Sequence, residues 1–389
     1  MNSQSKTGER ECIICRRTDA LDENDHCEIC AALEKLSASI LYKDYFAVLI
    51  DQLPDSLPLP GNRYLTAGDE KQLRNLMEKD DYVRSYTKNK LCTGRHVTTK
   101  LWVGDYNIKG ETFGELAEKS TGINRIAVLR ADVDNLGNAF VNGFRQQGGR
   151  YETISRTATL SRQLSLFFKC YINKILRDGT AHNFTNTSDR QLNIVYSGGD
   201  DVFLAGAWND VVDAFTDIRS AFIKFTQGTL TISGGIGLFG SSHPINRMAI
   251  ETAELEEISK HTEDKDAITL FDENGSYKWE EYLHGIIEEK FEAIKNYLDK
   301  VDDKGKAFLY KLLELLRDNE ERRFNRAKFV YYLSKLEPAD KKDVKAMDAY
   351  KNFSSKIYKW SLNAEGRRQI VTAIYLYVYL TREREAEKN

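Results

Sequence analysis

Two adjacent aspartates, Asp200 and Asp201, follow two glycines in the segment YSGGDDVF, which lies between two apolar runs. The strand-like pattern on both sides predicts that residues 198–201 form a tight hairpin turn. Glycine allows the backbone to take positive φ or to approach a ligand closely, and adjacent carboxylates repel each other unless a cation lies between them. The segment therefore predicts either a metal site or an ordinary surface turn, in which Gly and Asp are common.

A second acidic group, Asp132 and Asp134, ends the apolar run IAVLRADVD. We expect this run to be a strand beside the hairpin in the same sheet, so that the strand end and the hairpin tip converge. Carboxylate oxygens hold Mg²⁺ or Mn²⁺, and a pair of such ions can activate a hydroxyl and bind a triphosphate. With both groups present, the metal site is the favoured interpretation.

The two aspartates of the strand are expected to point to opposite faces, so that only one of them serves the metal fully. We assign Asp132 as the ligand. Asp134 is then either a further acidic group of the site or a cap of the following helix beside Asn135.

Four of the six cysteines form the pattern C-x2-C-x11-C-x2-C, made by Cys12, Cys15, Cys27 and Cys30. Two close pairs of thiolates are typical of a tetrahedral Zn²⁺ site, and four protein ligands leave no open position for catalysis. His26 is an alternative ligand, but with four thiolates present we expect it to face solvent. The segment is too short and polar to hold an apolar core, so a structural metal would supply its stability.

Two further features have both a functional and a structural interpretation. Lys260 ends the predicted helix AIETAELEEISK, where it could reach a triphosphate or simply be solvated. Ser233, Gly234 and Gly235 leave space on a strand for a ligand or for a neighbouring helix, and we favour packing against a helix.

These residues need a scaffold, and the pattern from residue 124 onward predicts strand, helix, two strands, helix and strand, with one further strand. This order is typical of the ferredoxin-like palm of polymerases and cyclases, an antiparallel sheet with helices on one face. Before it we predict a helix in ALEKLSASILY, a strand in YFAVLI and a strand in LWVGDYN; beyond Trp279 we predict an all-helical bundle. The fold class is therefore α+β. The predicted domains are a zinc module with linker (1–60), a palm (61–275, core 122–272) and a helical domain (276–389).

Composition narrows the functional classes. The 389 residues are 41% hydrophobic and 30% charged, which is typical of a globular protein rather than a disordered or fibrous one. A net charge of −3 lacks the basic excess of a nucleic-acid-binding protein, so any such binding must be local or shared with other chains. The sequence has no apolar run of the roughly 20 residues that span a membrane. Its start also lacks the apolar segment of a signal peptide, and we expect a cytoplasmic protein.

Several motifs, taken in order, resemble one known family. WVGDY, VLRADVDNLG, SGGDD, GGIGLF, AELEEISK and AITLF resemble the second palm of the large subunit of type III-A CRISPR effector complexes, and CIIC…CEICAALEKL resembles its zinc module. The resemblance implies synthesis of cyclic oligoadenylates from ATP when the complex pairs its guide RNA with a target RNA. It implies that catalytic Mg²⁺ or Mn²⁺ is held by Asp132, the Val133 carbonyl, Asp200 and Asp201. It further implies that Ser197, Gly198 and Gly199 lie along the phosphates, which Lys260 also contacts.

The sequence departs from this family in one respect and leaves two alternatives. An HD nuclease-like domain and a first palm do not appear, so we expect a shortened chain or one half of a split subunit. ATP in the family lies between two palms, and a partner would then supply the first. A diguanylate cyclase is one alternative, but its turn reads GG(D/E)EF rather than GGDDVF, and it has no place for the zinc module. The other alternative is a catalytically silent scaffold that docks other effector subunits and RNA, which metal-dependent ATP binding would exclude.

Overall fold

The computed structural model describes residues 11–18, 20–109, 111–145, 151–185, 189–299, 305–317, 324–338 and 340–382. The chain divides into two compact units, Met1–Val103 and Gly104–Asn389. The boundary predicted near residue 60 falls between two paired strands of the first unit.

The first unit contains two helices and five strands. They are α1 (Glu28–Ile40), β1 (Tyr45–Leu49), β2 (Leu57–Leu59), β3 (Arg63–Gly68), α2 (Glu70–Met77), β4 (Tyr82–Lys88) and β5 (Thr99–Leu101). The sheet order is β2-β3-β1-β4-β5. Asp69 begins α2 through a capping box with Gln72. The predicted first helix and buried strand are thus found as α1 and β1, whereas β5 ends before Trp102, so most of the predicted strand in LWVGDYN is not one.

The second unit begins with the elements of the palm. They are α3 (Phe113–Glu118), β6 (Ile126–Val133), α4 (Leu136–Asn142), α5 (Ile154–Leu166), α6 (Ile172–Arg177), β7 (Leu192–Gly198), β8 (Asp201–Ala207), α7 (Trp208–Thr226), β9 (Ile232–Phe239), α8 (Ile245–His261), β10 (Ala267–Leu270) and β11 (Ser276–Lys278). A π-helical segment, Phe167–Tyr171, joins α5 to α6. The sequence QQGGR predicts a break in the helical stretch that follows β6, but its residues, 146–150, lie outside the described part of the chain.

The six-stranded sheet of this unit has the order β11-β10-β9-β6-β8-β7. Its central part, β9-β6-β8-β7, is antiparallel and has the ferredoxin-like arrangement predicted from the sequence. Two details of the prediction are wrong. First, β10 pairs with β9 in parallel, so the sheet is mixed.

The helices also differ from the prediction, because they cover both faces of the sheet rather than one. A Cβ built on Gly234 would meet Phe215 of α7, and one built on Gly235 would meet the backbone of α8 at Leu255 and Glu256. Adjacent strand residues point to opposite faces, so α7 and α8 lie on opposite sides. Burial along β9 agrees, because almost every residue of ISGGIGLF is buried.

The remainder of the second unit is helical. A π-helical segment, Glu281–Phe291, precedes α9 (Glu292–Leu298), α10 (Gly305–Arg317), α11 (Arg326–Ser334), α12 (Val344–Ser361) and α13 (Ala364–Thr381). The apolar side chains of these helices form one continuous core with α7 and the adjoining face of the sheet. None of the described helices combines the length and apolar character that a membrane-spanning helix requires.

Candidate active site

The end of β6 and the tip of the β7–β8 hairpin meet as predicted. In the ladder, Asp132 lies opposite Asp201 on β8 and opposite Ser233 on β9. Directly opposite residues of an antiparallel pair share a face, so these side chains lie on the α8 side of the sheet. The backbone N–H of Val133 donates to the carbonyl of Asp200 over 3.1 Å, which ties the strand end to the turn.

The turn itself has the backbone that its glycines permit. Gly199 has a φ of 60°, and a Cβ built there would meet no atom within 4 Å. This left-handed conformation favours glycine, and the open space above it leaves the backbone accessible to a ligand. Gly198 lies opposite Asp201 and shares its face.

The carboxylates of the turn lie in an electrostatically unfavourable place. Burial raises the pKa of Asp200, and the nearby Asp132 carboxylate raises it further. Burial also raises the pKa of Asp201, to which the charge of Asp200 adds. Both shifts have the same physical meaning: the site holds more negative charge than its surroundings stabilise, which is what a cation would relieve.

One cation of the chain already reaches this cluster. The Nζ atom of Lys260 lies 2.8 Å from an oxygen of Asp132 and 2.7 Å from an oxygen of Glu256, its neighbour one turn earlier on α8. Partial burial opposes the charge of Lys260, but the hydrogen bonds to Asp132 and Glu256 raise its pKa well above the usual value. The predicted helix-end lysine therefore borders the acidic site.

The side chain of Asp134 lies on a different face of the sheet from the one we expected. We expected Asp132 and Asp134 to face opposite sides of the sheet, but residues i and i+2 of a strand point to the same face. Asp134 is buried just beyond β6, and one of its oxygens accepts hydrogen bonds from Thr231, Ser233 and the backbone N–H of Asp266 at 2.7, 2.9 and 3.1 Å. It does not cap α4, whose N-cap residue is Asn135. Asp134 therefore stabilises the end of β6 by joining it through hydrogen bonds to the start of β9 and the residue before β10.

Ser197 is the predicted residue whose side chain the structure does not bring to the carboxylates. It lies opposite Val202, one residue out of phase with the pair Gly198 and Asp201. Its hydroxyl donates to the carbonyl of Phe168 at 2.5 Å, on the other face of the sheet.

Two functional candidates were missed from the sequence, Glu256 and Arg130. Glu256 is 8% exposed and forms ion pairs with Lys260 and with Arg130, whose Nε lies 3.2 Å away. Both could have been found by spacing. Arg130 precedes Asp132 by two strand positions and shares its face, and Glu256 precedes Lys260 by one helical turn.

The four cysteines form a second candidate site. Their Sγ atoms all lie within 4.8 Å of one another, and in the described part of the chain no other group of three or more Cys, His, Asp or Glu residues is gathered this tightly. Cys12, Cys27 and Cys30 are buried, and Cys15 is exposed. His26, which we expected to face solvent rather than act as a ligand, has a side chain that is only 13% exposed, and its Nδ1 lies 3.3 Å from an oxygen of Glu34.

The charge of the thiols fits a divalent cation. Backbone N–H groups, first that of Cys15, lower the pKa of Cys12 to about 6. Burial raises the pKa of Cys30 to about 12, to which its neighbouring thiols add. Four thiolates without a cation would repel one another, and Zn²⁺ removes that cost.

Comparison with known proteins adds the following. Residues 125–269 match the family model of the second palm domain of Cas10/Cmr2. Residues 295–383 match the model of the second helical domain of the CRISPR RNA silencing complex Cmr2 subunit. Over 388 residues the chain is 39% identical to a Mycobacterium tuberculosis protein described as CRISPR system single-strand-specific deoxyribonuclease Cas10/Csm1 (subtype III-A), covering 98% of this chain and 47% of that protein. The chain thus spans about half the length of the curated relatives it matches.

Two solved structures are also similar. A Csm1–Csm4 cassette in complex with cA4 matches with 27% identity and a TM-score of 0.54, covering 74% of this chain and 44% of that one. A Csm1–Csm4 cassette in complex with AMPPNP matches with 26% identity and a TM-score of 0.51, covering 75% of this chain and 43% of that one.

Proposed function

The chain belongs to the Cas10/Csm1 family of type III-A CRISPR systems, and on that premise we propose that its palm joins ATP molecules into cyclic oligoadenylates within an RNA-guided effector complex. The observation that carries the proposal is the convergence of three carboxylates, Asp132, Asp200 and Asp201, at one end of the sheet. They lie beside a glycine turn with open space above it. The ligands in the two similar cassettes, AMPPNP and cA4, correspond to an analogue of the substrate and to a product of this reaction.

The three aspartates fit a pair of Mg²⁺ or Mn²⁺ ions, because they are oxygen donors whose negative charge is only partly compensated in the protein. When bound, such ions activate the attacking hydroxyl and stabilise the charge on the phosphates. We assign Asp132, Asp200 and Asp201 as their side-chain ligands, with the Val133 carbonyl beside them.

The residues around the carboxylates orient the substrate. The exposed backbone of Gly199, next to the buried Gly198, offers a surface along which a triphosphate can lie, and Lys260 supplies a positive charge at the same edge. In the proposed reaction the 3′-oxygen of one ATP bonds to the α-phosphorus of another. The bond from that phosphorus to the β-phosphate oxygen breaks, and pyrophosphate leaves.

We propose that a partner completes the site. Joining two adenylates requires a donor and an acceptor nucleotide held together, whereas the described residues contain one such acidic hairpin with its strand. The proposed partners are a first palm, the other subunits of the effector complex and, through the complex, guide RNA and target RNA. The deoxyribonuclease activity named for the relative belongs to a protein about twice as long and is not part of this proposal.

The experiment is product analysis with labelled ATP, Mn²⁺ or Mg²⁺ and target RNA, comparing the reconstituted complex with the chain alone. We expect oligoadenylates from the complex and little product from the chain alone. Product formation that rises with the square of chain concentration would indicate that two copies of this chain pair their sites. A complex that neither binds ATP more tightly with Mn²⁺ nor forms product would support the silent scaffold and refute the proposal.

A further inference from the structure

Four charged side chains form an unbroken row on the α8 face of the sheet. Arg130 contacts Glu256 over 3.2 Å, Glu256 contacts Lys260 over 2.7 Å, and Lys260 contacts Asp132 over 2.8 Å. The charges alternate in sign along the row. Its last member is a proposed metal ligand, whereas Glu256 and Lys260 belong to the helix that covers the sheet.

Gly235 explains why helix and strand come close enough to form this row. It lies directly opposite Arg130 in the ladder. A Cβ built on Gly235 would lie 2.4 Å from the backbone nitrogen of Glu256, a distance that real Cβ atoms do not show. Any larger residue would therefore push α8 away from the sheet. Glycine at this position brings Glu256 within reach of Arg130 and places Lys260 over Asp132.

The position of Lys260 has a chemical consequence for Asp132. An ammonium group 2.8 Å from a carboxylate oxygen occupies the position from which a metal ion would bind that oxygen. A divalent ion and the charged lysine cannot share it, because they repel each other at such a separation. Metal binding at this oxygen thus requires Lys260 to move, and a metal ion on the second oxygen of Asp132 is still opposed by the charge of the nearby ammonium.

Glu256 offers Lys260 a second place at low cost. It already contacts the ammonium at 2.7 Å, and at 8% exposure it is shielded from solvent. A lysine that leaves Asp132 therefore keeps one charged hydrogen bond. Without that carboxylate, the displaced ammonium would be left partly buried with no anionic partner, which is unfavourable.

We propose that Lys260 is an internal cation that competes with the catalytic metal for Asp132, and that Glu256 is the positioning residue that holds Lys260 when the metal binds. In the free protein the lysine neutralises part of the acidic cluster. When metal and nucleotide bind together, the released ammonium is available to the triphosphate at the same edge. The inference rests on the proposed metal site and adds to it a reason why metal and nucleotide bind better together.

The experiment measures Mn²⁺ affinity in the absence of nucleotide, by titration of the free Mn²⁺ electron paramagnetic resonance signal, on the full chain. We expect Lys260→Met to bind Mn²⁺ about tenfold more tightly, because one nearby positive charge is worth roughly 1.4 kcal/mol or more at this separation. Glu256→Gln should bind Mn²⁺ several-fold more weakly than the unchanged protein. The matched control is Lys278→Met, which removes a lysine paired with Asp264 and should change affinity little.

The double variant Lys260→Met/Glu256→Gln separates a specific role from a general change in charge. If Glu256 acts through Lys260, removing Glu256 has no effect once Lys260 is gone, and the double variant matches Lys260→Met. If Glu256→Gln weakens Mn²⁺ binding equally in both backgrounds, or if Lys260→Met changes affinity no more than Lys278→Met, the inference is overturned. Thermal unfolding of each variant verifies that the fold is intact.

Failure of the proposed function gives a different result. The proposed metal site predicts that the unchanged chain binds Mn²⁺ and that Asp132→Asn loses this binding. If the unchanged chain binds no Mn²⁺, or if Asp132→Asn binds it equally well, the carboxylates are not a metal site and both proposals are refuted. If such binding is present but insensitive to Lys260, only the competition is refuted.

Discussion

The cysteine cluster and the acidic site both gather negatively charged ligands, but they are built differently. The four Sγ atoms lie within 4.8 Å of one another, and few apolar side chains surround them, Leu21 and Ile29 among them. The three carboxylates lie at the end of a sheet whose core is complete without them, and Lys260 already supplies a positive charge there. The cysteines thus form a closed ligand set on which the folding of their module depends. The aspartates form an open site on a sheet that is stable without them.

The difference indicates what each metal contributes. In the cysteine cluster, the predicted Zn²⁺ would replace the missing apolar core, so that its binding energy would be folding energy. In the acidic site, the proposed Mg²⁺ or Mn²⁺ would join a structure that is already stable, so that its binding energy would remain available for chemistry. Removing ligands should therefore unfold the first site and inactivate the second.

The largest expected effect is on the cysteine module. Cys12→Ser with Cys15→Ser should abolish zinc binding and unfold the segment around residues 11–30, because structural zinc contributes about 10 kcal/mol or more to such modules. Elemental analysis should find about one zinc in the unchanged chain and none in the variant. Limited proteolysis should then cleave the variant within the module.

The control for this change is Cys170→Ser, which removes a cysteine outside the cluster and should keep the zinc. The palm should remain folded in the double variant, since it buries its own core. If the unchanged chain contains no zinc and its module still resists proteolysis, the cysteine module does not depend on metal for its folding, and the proposed difference between the two sites is refuted.

The next effect is on activity without loss of fold. Asp200→Ala with Asp201→Ala should lower nucleotidyl transfer by the reconstituted complex about a thousandfold or more, because the charge stabilisation at the reacting phosphates is removed. Thermal stability should be unchanged or higher, since the raised pKa values of both groups show that their charges are unfavourable in the folded protein. Asp132→Ala should lower transfer likewise, but it also removes the ion pair with Lys260.

A matched control removes two carboxylates from the exposed side of α8, Glu254→Ala with Glu257→Ala. This pair should leave transfer activity near that of the unchanged protein. Full activity of the Asp200 and Asp201 variant would end the assignment of the acidic site as catalytic.

The smallest effect is expected at Asp134, which separates support from chemistry within the acidic site. Asp134→Ala should cost about 1–3 kcal/mol of stability, because three donors lose their acceptor, and should lower activity less than Asp132→Ala. Asp134→Asn keeps an acceptor oxygen for those donors and removes the buried charge, so it should cost less than Asp134→Ala. Chemical denaturation at a series of pH values measures both effects.

The pH dependence has a definite sign. Burial raises the pKa of Asp134 in the folded protein above its unfolded value of about 3.9. Above that pH the unfolded chain releases a proton that the folded chain retains, so the contribution of Asp134 to stability is lost as pH rises through the folded-state pKa. Asp134→Asn should remove this loss. Identical pH profiles for Asp134→Asn and the unchanged protein would contradict the assignment of a buried, charge-destabilised carboxylate.

Much of the fold could be predicted because its elements are marked by local patterns. The apolar runs ending in Asp132 and flanking the Gly-Gly turn predicted three adjacent strands, and cysteine spacing alone predicted the cluster that the structure contains. The helices on both faces were missed because the prediction followed the βαββαβ order, although strands without polar alternation, such as β9, are typical of a sheet that is covered on both faces. In β9 the glycines replace side chains, and only the structure shows that α8 approaches there.

The charged row was missed for a related reason. Arg130, Glu256 and Lys260 are ordinary surface residues by type, and their contacts depend on how closely α8 packs on the sheet. Gly235 lets α8 lie close to β9. The sequence predicted that the glycines of this strand pack against a helix, but it did not indicate which charged side chains that helix would bring to the sheet. Pattern predicts elements well, but contacts between distant elements depend on packing.

The joining of the palm to the last helix bears on how the protein is made. The backbone N–H of Ile123, just before β6, donates to the carbonyl of Tyr379 near the end of α13 over 2.9 Å, and Gly122 packs against the same turn. During synthesis the ribosome therefore releases β6, the first strand of the palm, long before α13, which contacts the residues just before this strand. Such long-range closure slows folding and leaves apolar surface exposed in the meantime. We expect the nascent palm to depend on chaperones until α13 has been synthesised.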